Sequence, residues 1–368
     1  MAFRHWVYLE MNKPPPTLER CFMQLDTHGL DLSKNVQLNP IQQPTTLIDR
    51  FERRFTYLRL SITENCNFRC TYCLPDGSEC HSHDGELSLI EIERLVNAFA
   101  TLGTKKIRIT GGEPSLRRDL CDIIALCKAT PGIETVGLTT NGFRLEKDVV
   151  KWRSAGLDVL NLSLDSLNPS SFQLITGSKR LSSILRGLDV AQTLDFKSLK
   201  INTVLLRDQN AHELNDFLAF VKTRKITLRF IELMRTGDNQ PFFNQQHLSG
   251  ENIQQHLLAS GWAERLRSQQ AGPAKEFIHP DYQGSLGLIM PYSKHFCDDC
   301  NRLRVSSKGQ LFLCLFADQH QHLREHLQSD NSQPAIEFLQ QSIAQKNSGH
   351  NLAEQATGST RHLAMIGG

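Results

Sequence analysis

The sequence predicts an α/β protein, a parallel sheet assembled from strand–helix–strand units, with a smaller module at its C-terminal end. Three observations carry this prediction. Short β-like runs alternate with helix-like stretches from Thr56 onward, the first intervening helix has both its start and its stop marked, and the alternation ceases at Glu232.

The runs are TYLRLSIT, KKIRIT, ETVGLTT, VLNLSLD, LKINTVLL and ITLRFIE, six strands with helices between them. In the first helix Ser88 and Glu91 form a capping-box pair. Leu89, Ile92, Leu95, Val96, Phe99 and Leu102 then recur at helical spacing, and Gly103 ends the run. The next strand alternates, with Ile107 and Ile109 on one face and Lys106, Arg108 and Thr110 on the other. Basic residues on a strand buried on both sides have two readings, an anion held in a barrel lumen or an edge position.

Residues 48–234 read as the core barrel. Polar, Gln-rich residues 235–283 read as a linker with one helix from Glu251 to Ser260. Residues 284–368 form the second module, in which RLRVSSKGQLFLCLF predicts a hairpin turning at Ser307-Lys308-Gly309. Residues 1–47, with Pro14, Pro15 and Pro16 and no periodicity, are expected to be a poorly ordered extension.

A chain of 368 residues is long enough to bury a sizeable core without metal staples. Lys and Arg total 41 against 39 acidic residues, so no global charge attracts nucleic acid or membrane, and any anion site must be local. No run of eighteen apolar residues exists and the N-terminus lacks a secretory pattern, so a soluble, cytoplasmic protein is expected. In that reducing compartment, clustered cysteines favour metal ligation over disulfides.

Six of the ten cysteines form two spaced triplets, Cys66-x₃-Cys70-x₂-Cys73 and Cys297-x₂-Cys300-x₁₃-Cys314. Each offers three thiolates, one fewer than closes a cubane cluster or a structural zinc site, and so leaves a metal position open. The first triplet follows a strand, where α/β barrels keep their chemistry. By spacing alone it could also be a zinc site completed by Cys80, His81 or His83. Cys121 and Cys127 read as small core residues, while Cys21 and Cys80 have no assigned role.

Leu58-Arg59-Leu60-Ser61-Ile62-Thr63 followed by Cys66-Asn67-Phe68-Arg69-Cys70-Thr71-Tyr72-Cys73-Leu74-Pro75 resembles the cluster loop of the radical S-adenosylmethionine (SAM) superfamily. Gly111-Gly112-Glu113-Pro114, one strand–helix unit later, resembles its SAM-contacting loop. The resemblance implies a partial (βα)6 TIM-type barrel in which the cysteines hold a [4Fe–4S] cluster whose open iron is chelated by SAM. An open iron on a low-potential cluster can pass an electron to the sulfonium, with the cofactor supplying the difficult chemistry.

Phe296-Cys297-Asp298-Asp299-Cys300-Asn301-Arg302-Leu303-Arg304, Leu313-Cys314-Leu315-Phe316 and the terminal Gly367-Gly368 narrow the resemblance. They resemble the branch of that superfamily that cyclises GTP in molybdenum cofactor biosynthesis, over about Arg54 to Gly368. Implied are a second [4Fe–4S] cluster on Cys297, Cys300 and Cys314 whose open iron takes the guanine, and a tail reaching into the active site. The implied reaction is a lyase chemistry. A 5′-deoxyadenosyl radical takes the C3′ hydrogen of GTP, C3′ attacks C8, and (8S)-3′,8-cyclo-7,8-dihydroguanosine 5′-triphosphate results.

Carried over position by position, the GTP contacts are Arg59, Arg108, Thr139, Lys200, Arg302 and Arg304, with Arg302 and Arg304 as catalytic residues. The SAM contacts are Tyr72, Gly112, Ser163 and Met234, and Lys106 and Arg229 are further basic positions of the substrate cavity. The resemblance also implies a low-potential electron donor, a homodimer, and delivery of product to cyclic pyranopterin monophosphate synthase. Arg302 and Arg304 suit phosphate because guanidinium forks bind its oxygens in a bidentate way. Two competing readings remain. Peptide-modifying maturases carry more C-terminal cysteines than the three here, and a zinc-dependent nucleic-acid binder needs a basic–aromatic segment that this chain lacks.

Overall fold

The computed structural model describes residues 46–78, 85–266, 272–317, 319–354, 357, 358, 360 and 363–367. Most of the 1–47 extension, and Cys21, Cys80, His81 and His83, lie outside the described residues.

All six predicted strands are present: β1 (Tyr57–Ser61), β2 (Lys106–Thr110), β3 (Thr135–Thr140), β4 (Val159–Ser163), β5 (Ser198–Leu205) and β6 (Thr227–Glu232). They run parallel, each beside the next in sequence. The connecting helices are α1 (Leu89–Thr101), α2 (Leu120–Ala129), α3 (Leu145–Ser154), α4 (Pro169–Thr176), α5 (Leu181–Gln192) and α6 (Leu214–Lys222). Helix α1 starts as its capping box predicts. Ser88 Oγ accepts from the Glu91 amide at 3.3 Å, and the Glu91 carboxylate accepts from the Ser88 amide at 2.8 Å. Gly103, at φ +83°, takes the left-handed turn after it. Ile92, Leu95, Val96 and Phe99 of this helix are buried in one core with Leu58, Leu60, Ile107 and Ile109 of the sheet. Each such side chain contributes roughly 1.5–3 kcal/mol.

The segment expected to be a linker carries α7 (Gln240–Gln246) and α8 (Glu251–Ala259), and its strands β7 (Ala263–Glu264) and β8 (Lys275–Ile278) join the sheet. Next come β9 (Ser285–Ile289), β10 (Arg302–Val305), β11 (Gln310–Phe312), β12 (Gln321–His322) and helix α9 (Gln333–Ile343). β9 pairs parallel with β6, and β10 parallel with β1. Eight parallel strands therefore run in the order β10-β1-β2-β3-β4-β5-β6-β9, flanked by antiparallel β11 and β12 at one edge and β8 and β7 at the other. The edges are not hydrogen-bonded to each other among the described residues, so the barrel is partial. β10 and β11 make the expected hairpin, with Gly309 at φ +77° in its turn. No helix of the described residues is long and apolar enough to cross a membrane.

Candidate active site

The first triplet occupies the loop leaving the C-terminal end of β1. The amides of Arg69 and Thr71 bond to the carbonyls of Thr176 and Ile175, and Phe68 packs edge-on against Phe172 at 6.2 Å. These contacts hold the loop against the end of α4. From β2, the amides of Gly112 and Glu113 bond to the carbonyls of Thr63 and Asn65 at 2.9 and 2.7 Å. A Cβ on Gly111 would lie 2.4 Å from the Thr63 oxygen, and one on Gly112 2.3 Å from the Asn65 oxygen. Backbone this close admits only glycine. Glu113, fully buried, caps the arrangement by accepting from the Ser115 and Asn141 amides and the Thr140 hydroxyl at 2.9, 2.6 and 2.8 Å.

Cys66, Cys70 and Cys73 line a cavity of about 170 Å³ together with Tyr72, Gly112, Thr139, Ser163, Asp165 and Met234. Tyr72 donates to Asp165 at 2.8 Å. Burial pushes the Asp165 carboxyl up to about 6. Burial likewise pushes Cys66 up to about 11 and Cys73 to about 12, and it raises Cys70 well above the usual thiol range, with Asp165 adding to the shift.

Cys297, Cys300 and Cys314 line a second cavity of about 310 Å³. The two cavities adjoin, sharing Asn202, Ile231 and Met234 as wall. Parallel register explains the walls of the larger one. Arg302, Tyr57 and Lys106 stand side by side across β10, β1 and β2, and two residues on, on the same face, stand Arg304, Arg59 and Arg108. The side chains of Lys106 and Arg108 thus face the lumen. Arg108 lies over Gly137, its register partner on β3, where a Cβ would approach its Cζ to 3.1 Å. Arg229 repeats the device over Gly287 of β9, where a Cβ would approach its Cγ to 3.0 Å.

Basic side chains of this cavity outnumber acidic ones. Arg59, Lys106, Arg108, Lys200, Arg229, Arg302 and Arg304 line it, with Glu276 the acid among the lining residues, at 3.2 Å from Arg229. Burial and the charge of Arg229 bring Lys200 down to about 7. Burial, Arg59 and Arg302 together hold Arg304 well below the guanidinium range. Arginine keeps its proton in proteins, so this pressure is a demand for an anion. Part of it is met by Tyr57. Burial would raise its phenol, yet Arg108, Arg59 and Lys106 bring it down to about 6, and Arg108 Nε donates to its oxygen at 2.6 Å. Part is met by the tail, where the Gly367 carbonyl accepts from Arg59 and Arg304 at 2.6 and 2.9 Å.

Both thiol sets fit iron–sulfur clusters. Among the described residues no three His, Cys, Asp or Glu side chains converge as ligands of a single ion. Ligands of a cluster bind separate irons and stand farther apart. The first thiols, raised by burial, become thiolates only by gaining a cationic partner such as iron. At the second set burial would raise Cys300, but Arg302, Lys346 and Arg53 hold it below the usual thiol range, already biased toward the ligating form. Thr139 Oγ1, Asn161 Oδ1 and Asn202 Oδ1 are buried on the cavity walls without protein partners, as expected of groups that meet a ligand.

Of the residues singled out from the sequence, Arg59, Arg108, Lys200, Arg302, Arg304, Lys106 and Arg229 line the larger cavity. Tyr72, Gly112 and Ser163 line the smaller, and Met234 lines both. Thr139, expected with the nucleotide contacts, lines the cavity of the first triplet instead. Sequence reasoning missed Tyr57, Asn161 and Asn202. Each is two positions from a selected residue (Arg59, Ser163, Lys200), so the period of two was the available signal. Cys127 is a fully buried core residue, and Cys121 packs partly buried against that core.

A half-open parallel barrel with a three-cysteine loop after its first strand defines a radical SAM enzyme, one that uses SAM with an iron–sulfur cluster. The family model of the radical SAM superfamily matches residues 60–221, and that of Molybdenum Cofactor Synthesis C matches residues 226–352. A relative from Haemophilus ducreyi named GTP 3′,8-cyclase is 52% identical over 324 residues, spanning 88% of this chain and 95% of its own length. One of the same name from Vibrio vulnificus is 51% identical, spanning 87% and 97%. The chain belongs to the GTP 3′,8-cyclase family. Among solved structures, Streptococcus suis SuiB, crystallised with S-adenosylmethionine, shares the fold at a TM-score of 0.54 and 13% identity, over 78% of this chain and 68% of its own.

Proposed function

We propose that the chain is a radical SAM enzyme of molybdenum cofactor biosynthesis that converts GTP to (8S)-3′,8-cyclo-7,8-dihydroguanosine 5′-triphosphate. What carries the reading is the adjoining of two cysteine-lined cavities, the larger of them walled by seven basic side chains. In it Cys66, Cys70 and Cys73 hold one [4Fe–4S] cluster, and Cys297, Cys300 and Cys314 hold another. SAM bound at the first would supply a 5′-deoxyadenosyl radical that takes the C3′ hydrogen of GTP.

The chain's own task is positioning. The Tyr72–Asp165 pair, Gly112, Ser163 and Met234 enclose SAM, with the close backbone at Gly112 leaving room for it. Arg59, Arg108, Lys200, Arg302 and Arg304 neutralise the triphosphate, Lys106 and Arg229 reinforce them, and Arg302 and Arg304 also act at the reacting end. Thr139, on the wall of the first triplet's cavity, contacts the ribose side. Fixing C3′ near one cofactor and guanine at the other matters because misplacement by about 1 Å costs about a hundredfold in rate. Clusters held by these cysteines would need a low-potential electron donor. The product passes to cyclic pyranopterin monophosphate synthase, and the enzyme works as a cytoplasmic homodimer.

The test is anaerobic turnover of reconstituted, reduced protein with SAM and GTP deuterated at C3′. Deuterium should appear in 5′-deoxyadenosine; SAM cleavage that ignores GTP would overturn the reading. Iron analysis should return about eight atoms per chain, as two cubanes require.

A further inference from the structure

Lys346 is a buried ammonium, 3% exposed, in the loop after α9. Its Nζ donates to the carbonyl of Leu313, the residue before Cys314, and lies 5.3 Å from the Phe55 ring. Burial works against its charge, Cys300 and Cys314 favour it and Arg53 and Arg302 oppose it, and among the described residues no carboxylate is ion-paired with it. A buried charge lacking a counter-ion is expensive, and among the described residues Cys300 and Cys314 are the groups beside Lys346 that can supply one. Arg53 tightens the same wrapping. Its Nη1 donates to the Cys297 carbonyl at 3.1 Å and to the Ser348 carbonyl, its Nη2 to Asn347 O at 2.6 Å, and its Nε to Asp49 at 2.7 Å. Gly349 brings the loop's backbone against Cys297, where a Cβ would lie 3.8 Å from the sulfur.

The first triplet has the opposite surroundings. Besides one another, the charged groups that act most on its thiols are carboxylates, Asp165 on Cys70 and Cys73 and Glu113 on Cys66. Cluster potentials follow net charge, hydrogen bonding and exposure, and a nearby cation favours the more negative, reduced form.

We propose that Lys346 is a tuning residue of the second cluster: its ammonium, held beside Cys300 and Cys314 by the loop that Arg53 fastens, raises that cluster's reduction potential and sets it above the potential of the first. This rests on the reading that Cys297, Cys300 and Cys314 hold a cluster. The cationic surroundings make the second cluster the easier to reduce, so a one-electron donor fills it first.

The experiment uses the full chain carrying Cys66→Ser, Cys70→Ser and Cys73→Ser, reconstituted anaerobically so that any cluster present is the second. Iron and sulfide content are measured first, and a protein without a cluster at this stage overturns the second-cluster reading itself. Midpoint potentials then come from a redox titration followed by electron paramagnetic resonance. Lys346→Met should shift the potential to a more negative value at unchanged iron content, and Lys346→Arg should restore it. Lys346→Gln keeps a donor for the Leu313 carbonyl without the charge, so its potential should move with the Met variant and decides the matter should Met lose iron. A Gln variant with the wild-type potential would overturn the proposal. So would a Cys297→Ser, Cys300→Ser and Cys314→Ser protein whose first cluster titrates above the second.

Discussion

Arg59 and Arg304 stand opposite each other in the parallel register of β1 and β10, and both guanidiniums close on the carbonyl of Gly367, at 2.6 and 2.9 Å. Like charges placed opposite on neighbouring strands destabilise a sheet. The pair is stable in this position because an anion or a carbonyl dipole lies between its members. This is the local logic of a polyanion site, and it makes the tail a competitor or a companion for the ligand.

Arg302→Ala and Arg304→Ala each remove a charge-assisted fork, worth about 1.5–3 kcal/mol to a bound anion. GTP turnover should fall by roughly ten- to a hundredfold. The ligand-free protein should melt no lower for Arg304→Ala, since repulsion with Arg59 is relieved. Steady-state kinetics and iron content measured together decide this, and wild-type turnover with an intact second cluster would remove that arginine from the site.

Gly137→Ala and Gly287→Ala place a methyl 3.1 Å from Arg108 Cζ and 3.0 Å from Arg229 Cγ. Each should displace its arginine and raise the KM for GTP several-fold, with SAM affinity unchanged because the first triplet's cavity excludes both glycines. Equal loss of SAM binding would point instead to general damage of the barrel.

Lys200 gives GTP binding a pH dependence. Burial and then Arg229 lower it to about 7, so its charge is present below that pH and lost above it. If only the ammonium binds the triphosphate, affinity should fall about tenfold by pH 8. The nucleotide's own last proton, near pH ~6 for phosphate esters, affects every variant alike. Lys200→Arg should therefore flatten the profile relative to wild type, as binding titrations from pH 6 to 8 can read. The same shift affects folding. The folded pKa lies below the unfolded one, so the cost of burying the charge is fully present below pH 7 and vanishes as pH rises toward the ordinary lysine value of 10.5.

Tyr57→Phe removes the oxygen that accepts from Arg108 at 2.6 Å and leaves the ring under Lys106 in place. Arg108 loses its anchor, and affinity should fall more for GTP than for guanosine, which lacks the phosphates. Equal losses for both ligands would place Tyr57 outside the phosphate site.

The sequence by itself determined the repeating unit and the chemistry available. Capping residues and alternating runs are local signals, so β1 to β6 and α1 could be read directly, and cysteine spacing announced two open metal sites. The role of residues 235–289 was not legible. β7 and β8 are very short, and β9 finds its partner β6 across more than fifty residues of intervening chain. Only the tertiary structure decided that β10 lies beside β1, which aligns Arg302 with Tyr57 and Arg304 with Arg59. It also decided that Gly137 and Gly287 clear space for arginines of neighbouring strands, and that Lys346 lies against the second triplet. The physical reason is common to all three. Local propensity acts within a few residues, whereas a charge cluster is made by strand register and loop packing between segments far apart in the chain, and nothing in a segment's own sequence names its neighbour.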